Sequence, residues 1–353
     1  WFRENGRELP WRETRDPYAI WLSEIILQQT RIAQGWEYWE RFIQTYPHVE
    51  DLAAASEDDV LKLWQGLGYY SRARNLHAAA RQIVALGEFP NTLDGIKSLK
   101  GVGDYTAAAI GSFAFNLPAA VVDGNVYRVL SRYFGIDTPI NSTQGKKEFA
   151  ALAQSLLPAS EAAAYNQGMM DFGAIQCTPQ SPKCLLCPLA ETCEALRNGR
   201  VEELPVKNKT VKVKTRHLSY VYIRYKAPAL ESHAEAENQA EAENHAEAEN
   251  PAEAESWIAI HRRGEGDIWQ GLWEPYNISD MKELPSFVKD PILLAKDVKH
   301  VLTHRILLAD FYLLEVSRRP LLPPDYIWIP ESEIDCYGVP RLIEKMLSEV
   351  HEE

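Results

Sequence analysis

The sequence has no run of eighteen apolar residues, which excludes a membrane-spanning helix and predicts a protein without a membrane partner. It has no initiating methionine either, because the chain begins at Trp1, and we expect a trimmed N-terminus. It does have apolar material for more than one core: 46% of its 353 residues are hydrophobic and ten are tryptophan. Length and composition predict a globular protein of two domains.

Basic residues are missing from one stretch, 227–256, which holds nine glutamates in repeats of Ala-Glu-Ala-Glu-Asn. Removing these nine charges from the net charge of −13 leaves −4 on the rest of the chain, so the acidic total does not exclude a nucleic-acid partner. The stretch buries too little apolar surface to offset its ordering entropy. We interpret 229–256 as a low-complexity insertion acting as a spacer, with transient helix as the alternative.

Cysteine is scarce, yet four of the five cysteines lie close together at Cys177, Cys184, Cys187 and Cys193. They include a single Cys-x-x-Cys pair, whereas zinc sites more often combine two such pairs. The gaps favour a [4Fe-4S] cluster, and structural zinc and disulfides are the alternatives. Thiolate ligands favour a reducing compartment.

Apolar residues recur at spacings of three and four up to about Asn198, which predicts a helical domain over 1–198. Asp16 before Pro17 predicts a capped helix start, and Gly87 predicts the end of a helix that begins near Ser71.

The remaining chain has a different texture. Residues 199–216 are rich in lysine and arginine, which predicts a basic, extended linker. Residues 217–353 contain strand-like alternation and finish in a helix from about Pro340 to Val350, which predicts an α+β domain. The predicted strands are Leu218 to Tyr225, Trp257 to His261 and Phe311 to Val316.

A glycine hairpin is predicted between a helix that ends near Leu99 and one that begins near Asp104. Gly101 and Gly103 let the backbone turn tightly and present amide donors, as a phosphate oxygen requires. The motif continues with Tyr105, and later with Val-Val-Asp-Gly-Asn-Val, which places Asp123 and Asn125 at the entry to a further helix.

These motifs resemble the helix-hairpin-helix DNA glycosylases, and the cysteine gaps narrow the resemblance to their iron-sulfur branch, endonuclease III and the MutY adenine glycosylases. Endonuclease III has lysine at the place of Tyr105, because a Schiff base needs an amine. Tyr105 therefore indicates the MutY type. The resemblance implies that the hairpin holds the DNA backbone, that Asp123 faces the sugar, and that Tyr105 and Asn125 orient the site.

Glu24 is the predicted acid. It is surrounded in sequence by Trp21, Leu27 and isoleucines, and burial among them would raise its pKa toward neutrality, as a general acid requires. A surface glutamate is the alternative. The segment Trp21 to Thr30 matches the MutY pattern, which implies that Glu24 is the catalyst.

The same resemblance places further residues on DNA. It implies an adenine pocket of Trp11, Arg12 and Gln167, contacts to the lesion pair by Gln29 and Thr30, and a base-stack wedge at Tyr69. Lys183 and Arg197 would lie in a basic DNA-binding loop shaped by the cluster.

The second domain resembles the Nudix-like C-terminal domain of MutY proteins through Trp269 to Pro275 and His300 to His304. It lacks the glutamate-rich metal box of an active Nudix hydrolase, which implies a reader of the lesion. Thr303 and His304 are its candidate contacts, although the family often has Phe-Ser-His here. The alternative is that His300 and His304 are ordinary histidines at the edge of a strand.

The resemblance thus implies an α + (α+β) fold, in which an all-helical helix-hairpin-helix domain with an iron-sulfur loop is followed by a Nudix-like domain. The implied activity is removal of adenine opposite 8-oxoguanine in double-stranded DNA by base flipping. We expect a monomer in the bacterial cytoplasm, acting at the nucleoid. The rival interpretations are a glycosylase and lyase of the endonuclease III type, and a non-catalytic nucleic-acid binder with zinc.

Overall fold

The computed structural model describes residues 1–208, 213–226 and 256–352. Contacts divide the chain into two units, Trp1–Leu63 with Ser71–Thr210 and Trp64–Tyr70 with Val211–Glu353. The sequence did not predict that the short segment Trp64–Tyr70 belongs to the second unit.

The linker predicted over 199–216 differs from the structure at both ends. Leu204 is buried and its carbonyl accepts a 3.0 Å hydrogen bond from Arg132, so this part packs within the first unit. The first strand begins at Lys214. The predicted insertion lies outside the described residues, apart from Ser256, which opens the second strand.

The first unit is helical in its described part, as predicted. Its α-helices are α1 (Phe2–Asn5), α2 (Pro17–Ile26), α3 (Ile32–Thr45), α4 (Val49–Ala54), α5 (Glu57–Leu63), α6 (Ser71–Leu86), α7 (Leu93–Lys97), α8 (Asp104–Phe115), α9 (Gly124–Phe134), α10 (Thr143–Leu156), α11 (Ala162–Asp171) and α12 (Glu194–Arg197). The described part also has four 3₁₀ turns, Pro10–Arg12, Ala159–Glu161, Cys184–Leu186 and Ala190–Thr192. A π-helical turn, Phe172–Gln176, follows α11.

Local signals set the helix ends that position the site. Asp16 caps α2 by accepting a 3.0 Å hydrogen bond from the Tyr18 amide, and Pro17 occupies the first turn, where it costs no hydrogen bond. Gly87 follows α6 in the left-handed conformation, with a φ of 82°. These predicted boundaries are confirmed.

Helix α2 lies at the centre of the first unit. Every residue from Tyr18 to Ile26 is buried, because α8, α3 and α6 pack around the helix. Apolar side chains on all sides are typical of a helix that has no solvent-facing side. Glu24 is polar, but it is buried because the apolar residues around it in α2 pack into the core.

The second unit is built on a mixed sheet. Its strands are β1 (Lys214–Lys226), β2 (Ser256–Arg262), β3 (Trp273–Glu274), β4 (Tyr276–Asn277), β5 (Ile292–Leu302), β6 (Arg305–Val316) and β7 (Tyr326–Pro330), and helix α13 (Arg341–Glu352) follows. The central order is β3-β2-β1-β6-β5, with β4 paired to β1 and β7 to β2. The pairing of β1 with β6 is parallel, and the other pairings are antiparallel.

Strand β1 supplies both faces of this sheet with core residues. Tyr220 and Tyr222 join the cluster that includes the α13 residues Leu342 and Met346. Val221 and Ile223, which point the opposite way, join a second cluster. The three predicted strands and the final helix are confirmed, whereas β3, β4, β5 and β7 were not predicted.

No helix in the described ranges combines the length and apolar character needed to cross a membrane.

Candidate active site and iron-sulfur site

Glu24 is only 7% exposed within α2. Burial raises the pKa of its carboxyl to about 7, and the nearby negative charge of Asp123 adds to the rise. A hydrogen bond from Tyr105 and the positive charge of Arg12 act in the opposite direction. The alternative of a surface glutamate is wrong, because this carboxyl is held half-protonated near neutral pH inside the core.

Tyr105 faces Glu24 from the first turn of α8. Its hydroxyl donates a hydrogen bond of 3.3 Å to Oε2 of Glu24. Burial raises the pKa of Tyr105 well above its ordinary value, and the charges of Glu24 and Asp123 add to this. Tyr105 therefore stays a neutral donor across the physiological pH range.

Asp123 is the N-cap of α9, where its Oδ1 accepts hydrogen bonds from the amides of Asn125 at 2.9 Å and Val126 at 2.8 Å. Oδ2 accepts from Nδ2 of Asn125 at 2.7 Å. Burial raises the pKa of Asp123, although these hydrogen bonds lower it. The cap fixes the carboxylate at the positive end of a helix dipole.

The two carboxyls have different surroundings and act on each other, because the charge of Asp123 raises the pKa of Glu24. Glu24 is protonated through much of the neutral range, while Asp123 has three hydrogen bonds that favour its charged form. A neutral acid beside a fixed carboxylate is the arrangement used to cleave glycosidic bonds.

The residues predicted to form a base pocket come from α11 and from the turn Pro10–Arg12. Gln167 lies half-buried on this helix. The ring of Trp11 is buried, with edge contacts of 5.8 Å to Trp36 and 5.6 Å to Trp39 between ring centroids. Arg12 is paired with a carboxylate that the sequence did not single out, Asp171, at the end of α11.

The glycine hairpin follows α7, and its two glycines have different roles. Gly101 has a φ of 78°, and a Cβ there would lie 2.7 Å from Asn75. Gly103 is extended and caps α8, with open space where a Cβ would stand. Only Gly101 is needed for the turn itself, whereas Gly103 leaves its surface open to a ligand.

Gln29 and Tyr69 share an uncommon backbone conformation, with positive φ angles of 56° and 47°. Both side chains are exposed, Tyr69 by 45%, so packing does not explain the strain. Strain at exposed polar residues is typical of functional sites. Arg72 donates to three main-chain carbonyls at the end of α2 just before Gln29, and the hydroxyl of Thr30 contacts the Gln28 carbonyl.

In the second unit, Thr303 and His304 form the turn between β5 and β6, which the pair Leu302 and Arg305 closes. Both are exposed. The hydroxyl of Thr303 is hydrogen-bonded to that of Tyr69, which belongs to the same unit. The structure thus brings together two residues that the resemblance implied for lesion recognition.

The four clustered cysteines line one cavity, together with Arg132 and Lys183. None of the chain's cysteines, all of which lie in described ranges, forms a disulfide. Among the described residues no three candidate side chains converge closely enough to share a single metal ion.

Two arginines of α9 contact Cys177, one of the residues that line this cavity. Nη1 of Arg132 lies 3.4 Å from the Cys177 sulfur and donates to the Thr178 carbonyl at 2.7 Å. Arg128, four residues earlier, donates to the Cys177 carbonyl at 2.7 Å and to Oδ1 of Asn125 at 2.9 Å. Sequence reasoning missed both, because single arginines in a helix carry no pattern. In the predicted basic loop, Arg197 pairs with Glu194 at 3.0 Å.

Three family models match the chain. Residues 22–158 match the HhH-GPD superfamily of base excision DNA repair proteins, residues 177–193 match the iron-sulfur binding domain of endonuclease III, and residues 252–349 match the NUDIX domain.

A solved structure of a thermostable thymine-DNA glycosylase is 35% identical, with a TM-score of 0.51, over 54% of this chain and 89% of that one. The chain belongs to the helix-hairpin-helix superfamily of base excision DNA repair proteins. The matched iron-sulfur domain contains all four clustered cysteines, which would hold a [4Fe-4S] cluster. When bound, the cluster supplies a rigid core for this loop.

Curated proteins are also similar to this chain. An adenine DNA glycosylase of Buchnera aphidicola subsp. Acyrthosiphon pisum is 40% identical over 59% of this chain and 60% of its own length. One of Buchnera aphidicola subsp. Baizongia pistaciae is 29% identical over 99% of this chain and 94% of its own. The human adenine DNA glycosylase is 41% identical over 58% of this chain, which spans only 39% of it.

Proposed function

We propose that this protein is a monofunctional adenine DNA glycosylase that acts as a monomer on adenine mispaired with 8-oxoguanine in double-stranded DNA. The observation that carries the proposal is the buried Glu24, which has a pKa of about 7 and accepts a hydrogen bond from Tyr105. The negative charge of Asp123 contributes to this raised pKa. Relatives named adenine DNA glycosylase support the choice of base.

In the proposed reaction, adenine leaves the stack and enters a pocket formed by Trp11, Arg12 and Gln167. Glu24 protonates N7, which makes the base a better leaving group. The bond from C1′ of the sugar to adenine then breaks, and Asp123 stabilises the positive sugar until water adds at C1′ and returns a proton to the Glu24 carboxylate. Tyr105 and Asn125 hold the two carboxyls in place.

Other residues would bind the rest of the duplex. The Gly101 and Gly103 hairpin holds the phosphate backbone with its amides, and Tyr69 inserts into the base stack as a wedge. Gln29 and Thr30 contact the lesion pair. In the second unit, Thr303 and His304 are the proposed contacts to the oxidised base.

The test is base excision from duplexes that carry adenine opposite 8-oxoguanine, guanine or thymine, read by strand scission in alkali. Scission is expected with the first two duplexes and not with adenine opposite thymine. A second arm adds borohydride: efficient trapping of wild-type protein on abasic DNA would indicate a lyase instead. No scission of any adenine duplex would contradict the proposal.

A further inference from the structure

Asp171 is a fully buried carboxylate outside the catalytic pair. It is 0% exposed at the end of α11 and accepts five hydrogen bonds. Arg7 supplies its main-chain amide at 2.8 Å, its Nε at 2.8 Å and one Nη. Arg12 supplies the other two from its guanidinium, at 2.7 and 2.9 Å. Such a bidentate pair fixes the plane of the guanidinium as well as its position.

The location links two sides of the proposed pocket. Asp171 lies four residues after Gln167 on α11, so both project from the same side of that helix. Arg12 follows Trp11 in the turn Pro10–Arg12. The carboxylate therefore ties the N-terminal segment to the helix that carries the pocket's amide.

The charges do not cancel. Two guanidinium groups share one carboxylate, which leaves one net positive charge beside the pocket. Burial alone would raise the pKa of Asp171, yet the hydrogen bonds from Arg12 and Arg7 hold it below its ordinary value. Asp171 consequently stays charged across the working range of the protein, and its balancing charge does not titrate there.

We propose that Asp171 is a positioning residue, which fixes and charge-balances the Arg12 guanidinium at the adenine pocket while Arg7 locks the carboxylate in place. This rests on the proposed function, because Arg12 has a substrate-binding role only there.

A consequence reaches Glu24. The groups that act on its carboxyl are Tyr105 from α8, Asp123 at the start of α9 and Arg12, while Arg72 of α6 is bound to carbonyls at the end of α2. Among these, Arg12 lowers the pKa of Glu24. Asp171 therefore offsets the one positive group that favours loss of the proton needed for excision.

The experiment compares four holoproteins by single-turnover excision between pH 5 and 9: wild type, Asp171→Asn, Arg7→Gln and the double variant. Excision needs protonated Glu24, so its rate falls as pH rises past the pKa. Asp171→Asn removes the negative charge that balances Arg12. The fall in rate at alkaline pH, called the alkaline limb, should therefore move to lower pH by about 0.5 to 1 unit. Arg7→Gln should move it to higher pH by less, because the Arg7 side chain is 28% exposed.

The double variant is the decisive comparison, since it removes one charge of each sign. Its alkaline limb should lie at a higher pH than that of Asp171→Asn, and closer to that of wild type. If Asp171 has a purely structural role, the variants should be slower than wild type but all four alkaline limbs should lie at the same pH. That result would overturn the proposal. If Asp171→Asn does not fold, an unmoved limb in Arg7→Gln overturns it instead.

A second readout separates this proposal from the proposed function. The ¹³C carboxyl resonance of Glu24, assigned by its loss in Glu24→Gln, reports the titration without any excision. If wild type releases no adenine but the four titrations keep the expected order, the function fails and the charge balance stands. If Glu24 titrates at the same pH in all four proteins, the charge balance is contradicted, whatever the activity.

Discussion

The two units place their candidate functional residues in opposite environments. In the helical unit, Glu24, Tyr105 and Asp123 lie in or against the core, and burial shifts the pKa of each. In the sheet unit, Thr303 and His304 are exposed on a two-residue turn. Chemistry needs a low-dielectric surrounding that changes proton affinity, whereas reading a base needs hydrogen-bonding groups that DNA can reach.

Removing the acid from the buried site should give the largest effect. Glu24→Gln keeps the size of the side chain but cannot donate a carboxyl proton, so excision should fall by more than about 10⁴-fold with mispair binding retained. Glu88→Gln, at an exposed glutamate, serves as the control. Excision by Glu24→Gln within tenfold of wild type would mean that burial does not mark the acid.

The same variant should change the pH dependence of stability. The folded pKa of Glu24 is about 7 against 4.5 when unfolded, so the folded state binds more protons and its free energy of unfolding falls as pH rises between these values. Glu24→Gln removes this loss. Above pH 7 it should be more stable than wild type by up to about 3 kcal/mol, and no more stable at pH 4. Denaturant unfolding at both pH values measures the difference, and equal stability at pH 8 would contradict the burial cost.

Changes in the exposed turn should affect selectivity and spare chemistry. The double variant Thr303→Ala with His304→Ala should lose about tenfold of its preference for 8-oxoguanine over guanine opposite adenine, because hydrogen bonds worth about 1 kcal/mol each disappear. The measurement is excision on both duplexes, with Ser332→Ala as an exposed control. An equal loss of rate on both duplexes would place the turn in general DNA binding.

A lysine at the buried site tests its orientation. Tyr105→Lys places an amine where the tyrosine hydroxyl contacts Glu24, and we expect a few per cent of the protein to be trapped by borohydride on abasic DNA. Tyr105→Phe, which has no nucleophile, is the matched control. Normal DNA binding without trapping would indicate that position 105 does not face the sugar.

The smallest effect should come from the acidic tract. Lys226 and Ser256 are paired across β1 and β2, so an Asn-Gly turn can replace residues 227–255. Melting temperature and excision should stay within error of wild type. Loss of nine negative charges should strengthen DNA binding at low salt by a few fold, measured as a salt titration. A fall in melting temperature of more than a few degrees would contradict the spacer interpretation.

Patterns local in sequence predicted much of this protein. The caps at Asp16 and Gly87, the hairpin before Asp104 and the four cysteines needed only neighbouring residues, because turn and metal-ligand chemistry act over a few positions. The strands β1, β2 and β6 have a strong apolar alternation. Strands β3 and β4 have two residues each, too few for a period to appear.

What the tertiary structure decided is which distant groups share a surrounding. Glu24 and Tyr105 are 81 positions apart, and Asp171 meets Arg7 across 164. No sequence pattern specifies such pairings, because they depend on how whole helices pack. The sequence by itself determined the kinds of residues available for acid catalysis, cluster binding and base recognition. Their burial, and hence their proton affinities, came only from packing, since desolvation is a property of everything that surrounds a charge.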